Sequence, residues 1–531
     1  MKIIEYIRGN YENVIFKTVL GIFLVIGLYI FCLDLYLKNV ISMNGFEIPQ
    51  ISHNGLIVYL LFLVGIIVFI LIQPILRKID PKIILIVCVS IFTVLGMYLA
   101  LFADDHLRGS NPNSVLRVDQ GSCVTIARHL NSGDFSDFRL GGYLHMYPYQ
   151  IYWIMLLRVF LKINDSVRFL YIFMLLISIL IMIANYFLVK SLSKDKAVLN
   201  SSTLLAFLFL PNLFNVLFVY PNSVAYLLFV LGFYVYLRSF KNQKLQYLSV
   251  ICFCMAALLK NNYLIGVIAF LIVVFISNIK WKKKFILLLI SILFINVSNI
   301  SVQKYFSHAS HTNFSMKSGM PTPAFILMGL SGDGLRSGWW NGITVFMYEH
   351  NHYSSSETKK VATKALDERL HYLKNNPNDL KGLLENKIIS TWTDTTYQSL
   401  WNAPTPYWGG KFNTKTIRRI YTEGTKTQKI IFRISLMSVL SIFLGSIVWT
   451  IKNLKLTNKW QSTNTQLICI FSSLFFLGGF TFHLFWETKS QYVWQYVMFL
   501  IPVASLGINS LYAPLRDLLG KTKILNIINA K

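Results

Sequence analysis

"YPYQIYWIMLLRVFLK" (residues 147–162) decides how the rest of the chain is laid out. It is apolar enough to pass for a membrane crossing. Arg158 interrupts it, however, and it falls short of the roughly 17–25 residues that cross a hydrocarbon layer as helix. Counted as a crossing, it would put the "KSLSKDK" loop (190–196) outside and turn every later loop against the rule that Lys and Arg collect on the cytoplasmic side. It therefore reads as an interfacial helix on the outer face, with its tyrosines and tryptophan at headgroup level.

Working outward, apolar runs of bilayer length fall near residues 13–33, 55–76, 83–103, 166–190, 197–219, 222–238, 246–260, 263–279, 285–303, 429–451, 465–483 and 490–511. The fold class expected is an all-α polytopic membrane protein with about 12 transmembrane helices, outer juxtamembrane helices and a mainly α extracytoplasmic loop domain. The charge pattern agrees with this layout. Inner loops hold groups such as Arg77, Lys78 and Lys82, or Lys280, Lys282, Lys283 and Lys284, whereas the short outer loops offer only Lys38, Lys260 and Lys489. Both termini are then cytoplasmic, and the basic first segment, which lacks a small-residue cleavage site, reads as an uncleaved signal anchor. Four parts follow: residues 1–82 with the first pair of transmembrane helices, a core at 83–303 whose first outer loop is 104–165, an extracytoplasmic loop domain at 304–428, and residues 429–531 with the last helices and a cytoplasmic tail.

Composition supports the same class. Of 531 residues, 54% are hydrophobic and 14% charged, with too many long apolar runs for a soluble core. The formal charge of +27 does not signal nucleic acid, because the lysines fall in short clusters between apolar runs and no basic, aromatic-interleaved module exists. Five of the six cysteines lie in or beside apolar runs, which leaves no disulfide framework and no CxxC metal signature. Richness in Lys, Ile and Asn suggests a bacterium, and with it the bacterial cell membrane.

The acids collect outside the crossings. Asp104 and Asp105 follow the third apolar run, and "RVDQGSCVTIARHLNSGDF" (117–135) then places Asp119 at the head of a short helix whose apolar face is Cys123, Ile126, Ala127 and Leu130, ended by Gly133. An acid in that position commonly does no more than cap the helix. The next stretch, "FRLGGYLHMYPYQIYWI", adds Tyr143, His145, Tyr147 and Gln150 close to the lipid surface, where a membrane-bound substrate would present its headgroup.

This order, "DQ…A…L..GDF……GGYL…YP…YWI", resembles the first outer loop of GT-C glycosyltransferases, particularly the protein O-mannosyltransferase and lipid A aminoarabinose transferase type. The resemblance covers roughly residues 83–190. "HLFWETKSQYVWQYVMFLIPVASLGI" (483–508) is similar to the entry to the last helix in bacterial envelope members, and "GMPTPAFILMGLSGDGLRSGWWNG" (319–342) to their large outer loop. There are departures. Ser122 and Cys123 stand where those transferases have a basic residue and a tyrosine, and His145, Met146 and Tyr147 where they have Glu-Lys before the proline. These departures bear on the phosphate-binding cation and on any metal site.

The resemblance implies an inverting transfer of a sugar from a polyprenyl-phosphate carrier to an extracytoplasmic acceptor: a cell-wall polymer, a glycolipid or a protein. Such a reaction needs one carboxylate to take the acceptor's proton and a cation or donors for the leaving phosphate. By alignment with the family's helix-opening acid, Asp119 is the expected base, with Asp104 and Asp105 as fallback. Lys260, in "LLKNNYLIG", is the expected phosphate partner, followed by His145 and Lys489. Glu487, with Tyr492 beside it, would orient the acceptor or pair with Lys489. No cofactor is obligatory, since no nucleotide diphosphate leaves; a divalent metal is conceivable, but the histidines of "SHASH" (His308, His311) and "EHNH" (His350, His352) are more simply solvated. Trp339, Trp340, Trp392, Trp401 and Trp408 suit either sugar stacking or an interface belt. Other expected partners are membrane lipids, not nucleic acid. Two further functions fit the layout: a lipid-linked polysaccharide polymerase or ligase, and a multi-span transporter or flippase. The latter predicts ionisable groups near the middle of the crossings and two matching halves, whereas the runs are nearly free of charge, the acids collect outside and no convincing repeat joins the two halves.

Overall fold

The computed structural model describes residues 2–43, 47–103, 116, 119–404, 414–456, 460–514 and 516. Asp104, Asp105 and Trp408 lie outside these residues. Among the described residues, seven helices are long and apolar enough to cross a membrane: Tyr11–Tyr36, Leu56–Lys78, Pro81–Phe102, Val167–Lys190, Trp281–Ser310, Lys426–Lys455 and Asn464–Phe485. An eighth crossing results if Lys196–Leu208 and Pro211–Leu217, bent by 51°, are one span. The chain is thus a helical, polytopic membrane protein.

The expected count of twelve meets a physical limit. Asn222–Arg238, Leu245–Leu259 and Asn261–Ile276 are apolar but short, and the run 490–511 breaks into Trp494–Met498 and Ile501–Ser510. Every residue of those last two helices except Ser510 is buried. Hydropathy cannot tell a run that faces lipid from one that faces other helices, and these are partly protein core. Lipid-facing helices look different: Leu56 and Val94, on helices Leu56–Leu71 and Pro81–Phe102, are 73% and 69% exposed.

Between apolar helices in a bilayer there is little hydrophobic drive, so close packing matters. Helices Lys426–Leu456 and Ile501–Ser510 touch backbone to backbone, because a Cβ on Gly507 would lie 1.8 Å from the Gly445 carbonyl oxygen.

The stretch 147–162 does not form a helix long enough to cross a membrane. A 3-10 turn at Pro148–Gln150 leads into helix Ile151–Ile163, which packs on helix Asp119–Asn131. Its tryptophan corrects the expectation of a headgroup anchor: Trp153 is fully buried inside the protein, as are Ile154 and Leu157. The large loop region has the expected break, with helix Ser355–Asn375 capped by Ser354 and helix Pro377–Trp392 starting at the proline.

One element is absent from the helical expectation. Leu37–Ile41 and Pro49–His53 form an antiparallel hairpin directly after the first crossing, with Leu37 opposite His53 and Ile41 opposite Pro49. Val40, Ile41 and Ile51 suit a pleated strand, and Asn44-Gly45 between the strands is a hairpin signal in the sequence.

Candidate functional site

Helix Asp119–Asn131 buries Cys123, Ile126, Ala127 and Leu130, the face its spacing predicts. Its first turn is tied down by Gln120, 2% exposed, whose amide donates to the Asn402 carbonyl at 3.1 Å and whose oxygen accepts from the Val219 N–H at 2.9 Å. A buried amide with both ends satisfied fixes a register, since losing it would orphan two backbone groups. That register sets the position of Asp119.

The Asp119 carboxylate accepts from Tyr143 Oη at 3.2 Å on one oxygen and from Tyr220 Oη at 3.5 Å, the limit of a hydrogen bond, on the other. Gln150 Nε2 donates to Tyr220 Oη at 2.5 Å and so orients that phenol. A residue that only capped a helix would need neither phenol. Tyr147 packs its ring against Tyr143 with centroids 5.0 Å apart. Burial first, then the charge of Asp119, raises the pKa of Tyr143, Tyr147 and Tyr220, so these groups stay hydroxyl donors.

Lys260 lies in the turn after helix Leu245–Leu259, its ammonium 4.6 Å from the centroid of the Tyr220 ring and 5.3 Å from that of Tyr492. A snorkelling anchor would aim at water; here two phenol faces hold the cation. Burial lowers its pKa to about 8, although Asp119 and Glu487 pull the other way. Tyr492 Oη donates to Glu487 at 3.2 Å, and burial pushes the Glu487 carboxyl above its ordinary range. Asp119, Lys260, Glu487 and Lys489 all act electrostatically on one another, so the structure gathers them in a single cluster.

Lys489 has a partner the sequence did not announce. Its ammonium meets Glu47 Oε2 at 2.5 Å, with both side chains almost wholly covered, and Glu47 also accepts from Gln398 Nε2 at 3.3 Å. Burial works against the Lys489 charge, but Glu47 and Glu487 outweigh it and raise the pKa. Glu47 stands between the strands of the hairpin, so the ion pair brings that element to the cluster. Glu47→Ala strands a covered cation and is expected to cost roughly 3 kcal/mol. The check is the thermal unfolding of solubilised protein, where an unchanged Tm would contradict the pairing.

The segment bearing Glu487 and Lys489 is held from below by Lys387, which is 1% exposed and donates to the carbonyls of Gly329, Leu484 (2.9 Å) and Trp486 (2.8 Å). Thr488 N–H donates to the Gly338 carbonyl at 2.8 Å. The stretch 319–342 therefore packs against the stretch 483–490. A Cβ on Gly329 would fall 2.3 Å from the Phe485 oxygen and 2.4 Å from the Trp486 carbonyl carbon, both backbone atoms that cannot rotate away. Gly329→Ala is expected to cost about 1–3 kcal/mol and to displace Glu487 and Lys489. A drop in Tm accompanied by reduced activity tests this; full activity would sink it.

His145 stands apart. It bonds Tyr348 Oη at 3.3 Å, and burial alone lowers its pKa, with no contribution from Asp119. Three of the tryptophans are buried and differ from both expected roles, Trp339, Trp392 and Trp401, with Trp339 donating to Ser390 Oγ at 3.0 Å and Trp392 packing on Phe476 and Phe480, whereas Trp340 is 45% exposed. Among the described residues no group of three or more His, Cys, Asp or Glu side chains is placed to hold a metal; His308 and His311 have ring centroids 6.4 Å apart.

Chemically, the cluster joins a carboxylate oriented by two phenols to a covered cation and a second acid–base pair. It can take a proton from a hydroxyl and stabilise a nearby anion. No family model matches the chain, and no curated protein matches it significantly.

Proposed function

We propose that the chain is an inverting glycosyltransferase of the GT-C kind, which moves a sugar from a polyprenyl-phosphate carrier to an acceptor outside the cytoplasm. The observation that carries this reading is the pairing of Asp119, held by Tyr143 and Tyr220, with Lys260 over the Tyr220 and Tyr492 rings. In the proposed layout the chain crosses a bacterial cell membrane twelve times, with the short helices completing the count. Both termini are cytoplasmic, and the hairpin, the Asp119 loop and residues 304–428 form the outer face.

The acceptor hydroxyl oxygen attacks the anomeric carbon from the face opposite the phosphate, and its proton passes to Asp119. The bond between the anomeric carbon and the phosphate oxygen breaks as the new glycosidic bond forms, and the electron pair leaves with the phosphate. Lys260 stabilises that charge, with Tyr492 and Lys489 nearby, while Glu487 orients the acceptor. The acceptor is a cell-wall polymer, glycolipid or protein.

Lipid extracts test the reading. Cells lacking the protein should accumulate one polyprenyl-phosphate-linked sugar, and the wild-type chain, returned on a plasmid, should clear it. Unchanged donor lipids would contradict the reading.

One observation favours transport instead. Asp34, buried in the first crossing, has no hydrogen-bond partner for either carboxylate oxygen among the described residues. A transporter would depend on it. The transferase reading expects Asp34→Asn to keep sugar transfer.

A further inference from the structure

A second feature shares no residue with the Asp119 cluster. Helices Leu56–Leu71, Lys196–Leu208, Lys426–Leu456 and Ile501–Ser510 enclose a groove of about 390 Å³, lined almost wholly by apolar side chains such as Leu61, Phe69, Leu208 and Met437. Its one charged lining residue is Arg433. Arg433 sits seven residues, about 10 Å, into a membrane-spanning helix that begins at Lys426. It is exposed, and it makes no hydrogen bond or ion pair among the described residues.

An unpaired guanidinium on the wall of an apolar groove is a ready partner for an anion. Its neighbours add positive charge. Lys429 stands one turn before it on the same helix face, where like charges repel. Lys38, on the first strand of the hairpin, feels both: burial first, then Lys429 and Arg433, lower its pKa. Arg433 thus lines the groove, Lys429 stands one turn nearer the start of the same helix, Lys38 interacts electrostatically with both, and none of the three forms an ion pair among the described residues.

We infer that this groove holds an anionic phospholipid of the surrounding bilayer, with acyl chain against Leu61, Phe69 and Met437 and phosphate on Arg433, Lys429 and Lys38. The charge decides the occupant. A zwitterionic lipid also brings a phosphate, but its own ammonium offsets that charge and leaves the three cations without a net counter-charge. The site is separate from the proposed donor cleft, so the lipid is a resident one and not the sugar carrier.

The experiment uses the full chain purified in mild detergent, with phosphatidylglycerol or phosphatidylcholine added and unfolding followed by temperature. Phosphatidylglycerol should raise Tm by several degrees, and phosphatidylcholine should not. Arg433→Gln should abolish the difference between the two lipids. Gly65→Trp leaves all three cations in place but fills the groove: a Cβ at Gly65 meets nothing within 4 Å, so the ring can enter without backbone strain. It should remove the response to phosphatidylglycerol. Mass spectrometry of lipids retained by the wild type should find an anionic phospholipid at least tenfold enriched over its share in the membrane. The inference is overturned if phosphatidylcholine stabilises equally, if both variants respond like the wild type, or if the retained lipid is a polyprenyl phosphate.

Discussion

Asp119→Asn is expected to lower sugar transfer by about a hundred- to ten-thousand-fold while the protein keeps its membrane level and its Tm. The amide has the same shape, and its oxygen can still accept from Tyr143, so the cleft should not rearrange. What it cannot do is accept the acceptor's proton, and an undeprotonated hydroxyl is a poor nucleophile. Tyr143→Phe gives the contrast. It removes only an orienting hydrogen bond and should cost about tenfold or less. If Asp119→Asn kept full activity, Asp119 would be no more than a helix-opening residue, and Glu487 or the fallback pair Asp104 and Asp105 would have to be tested as base.

The second large effect concerns Lys260. Removing its charge, as in Lys260→Met, should reduce transfer by about a hundred- to thousandfold, the usual cost of losing a group that stabilises developing negative charge. Its pH behaviour is more specific. Because burial lowers the pKa to about 8, the ammonium is complete below that pH and is lost as pH rises through it. The free enzyme therefore binds the donor phosphate less well in alkaline buffer, and kcat/KM should fall as pH passes about 8. Arginine stays charged throughout, so Lys260→Arg should flatten this limb even if its absolute activity is lower. A limb that persisted unchanged in Lys260→Arg would assign the titration to another group.

The parts of this cluster differ in how far the sequence discloses them. The helix behind Asp119 was legible because Cys123, Ile126, Ala127 and Leu130 repeat at helical spacing, and the turn at Gly133 ends it. Tyr143 and Gln150 were legible by closeness in the chain. Their third partner, Tyr220, was not, since it arrives from the bend between two distant helices, and no local pattern sets it apart from other tyrosines.

Glu47 shows the same limit. It belongs to a short connection whose Asn44-Gly45 signal is visible, but its pairing with Lys489 joins opposite ends of the chain. Gln120 and Lys387 act on backbone carbonyls and N–H groups, which carry no sequence signature at all. The burial of the run 490–511 was illegible for another reason: mean hydropathy does not separate a helix bathed in lipid from one wrapped by other helices, and Trp494–Met498 and Ile501–Ser510 are the second kind.

The most direct test is the sugar composition of surface polymers and glycolipids from cells that carry the wild-type chain, no chain, or Asp119→Asn at matched membrane levels. The account predicts that one sugar disappears from the same fraction in both the null and the Asn variant. A sugar lost in the null but retained with Asp119→Asn would contradict the role of Asp119, and no loss in either would contradict the transferase itself.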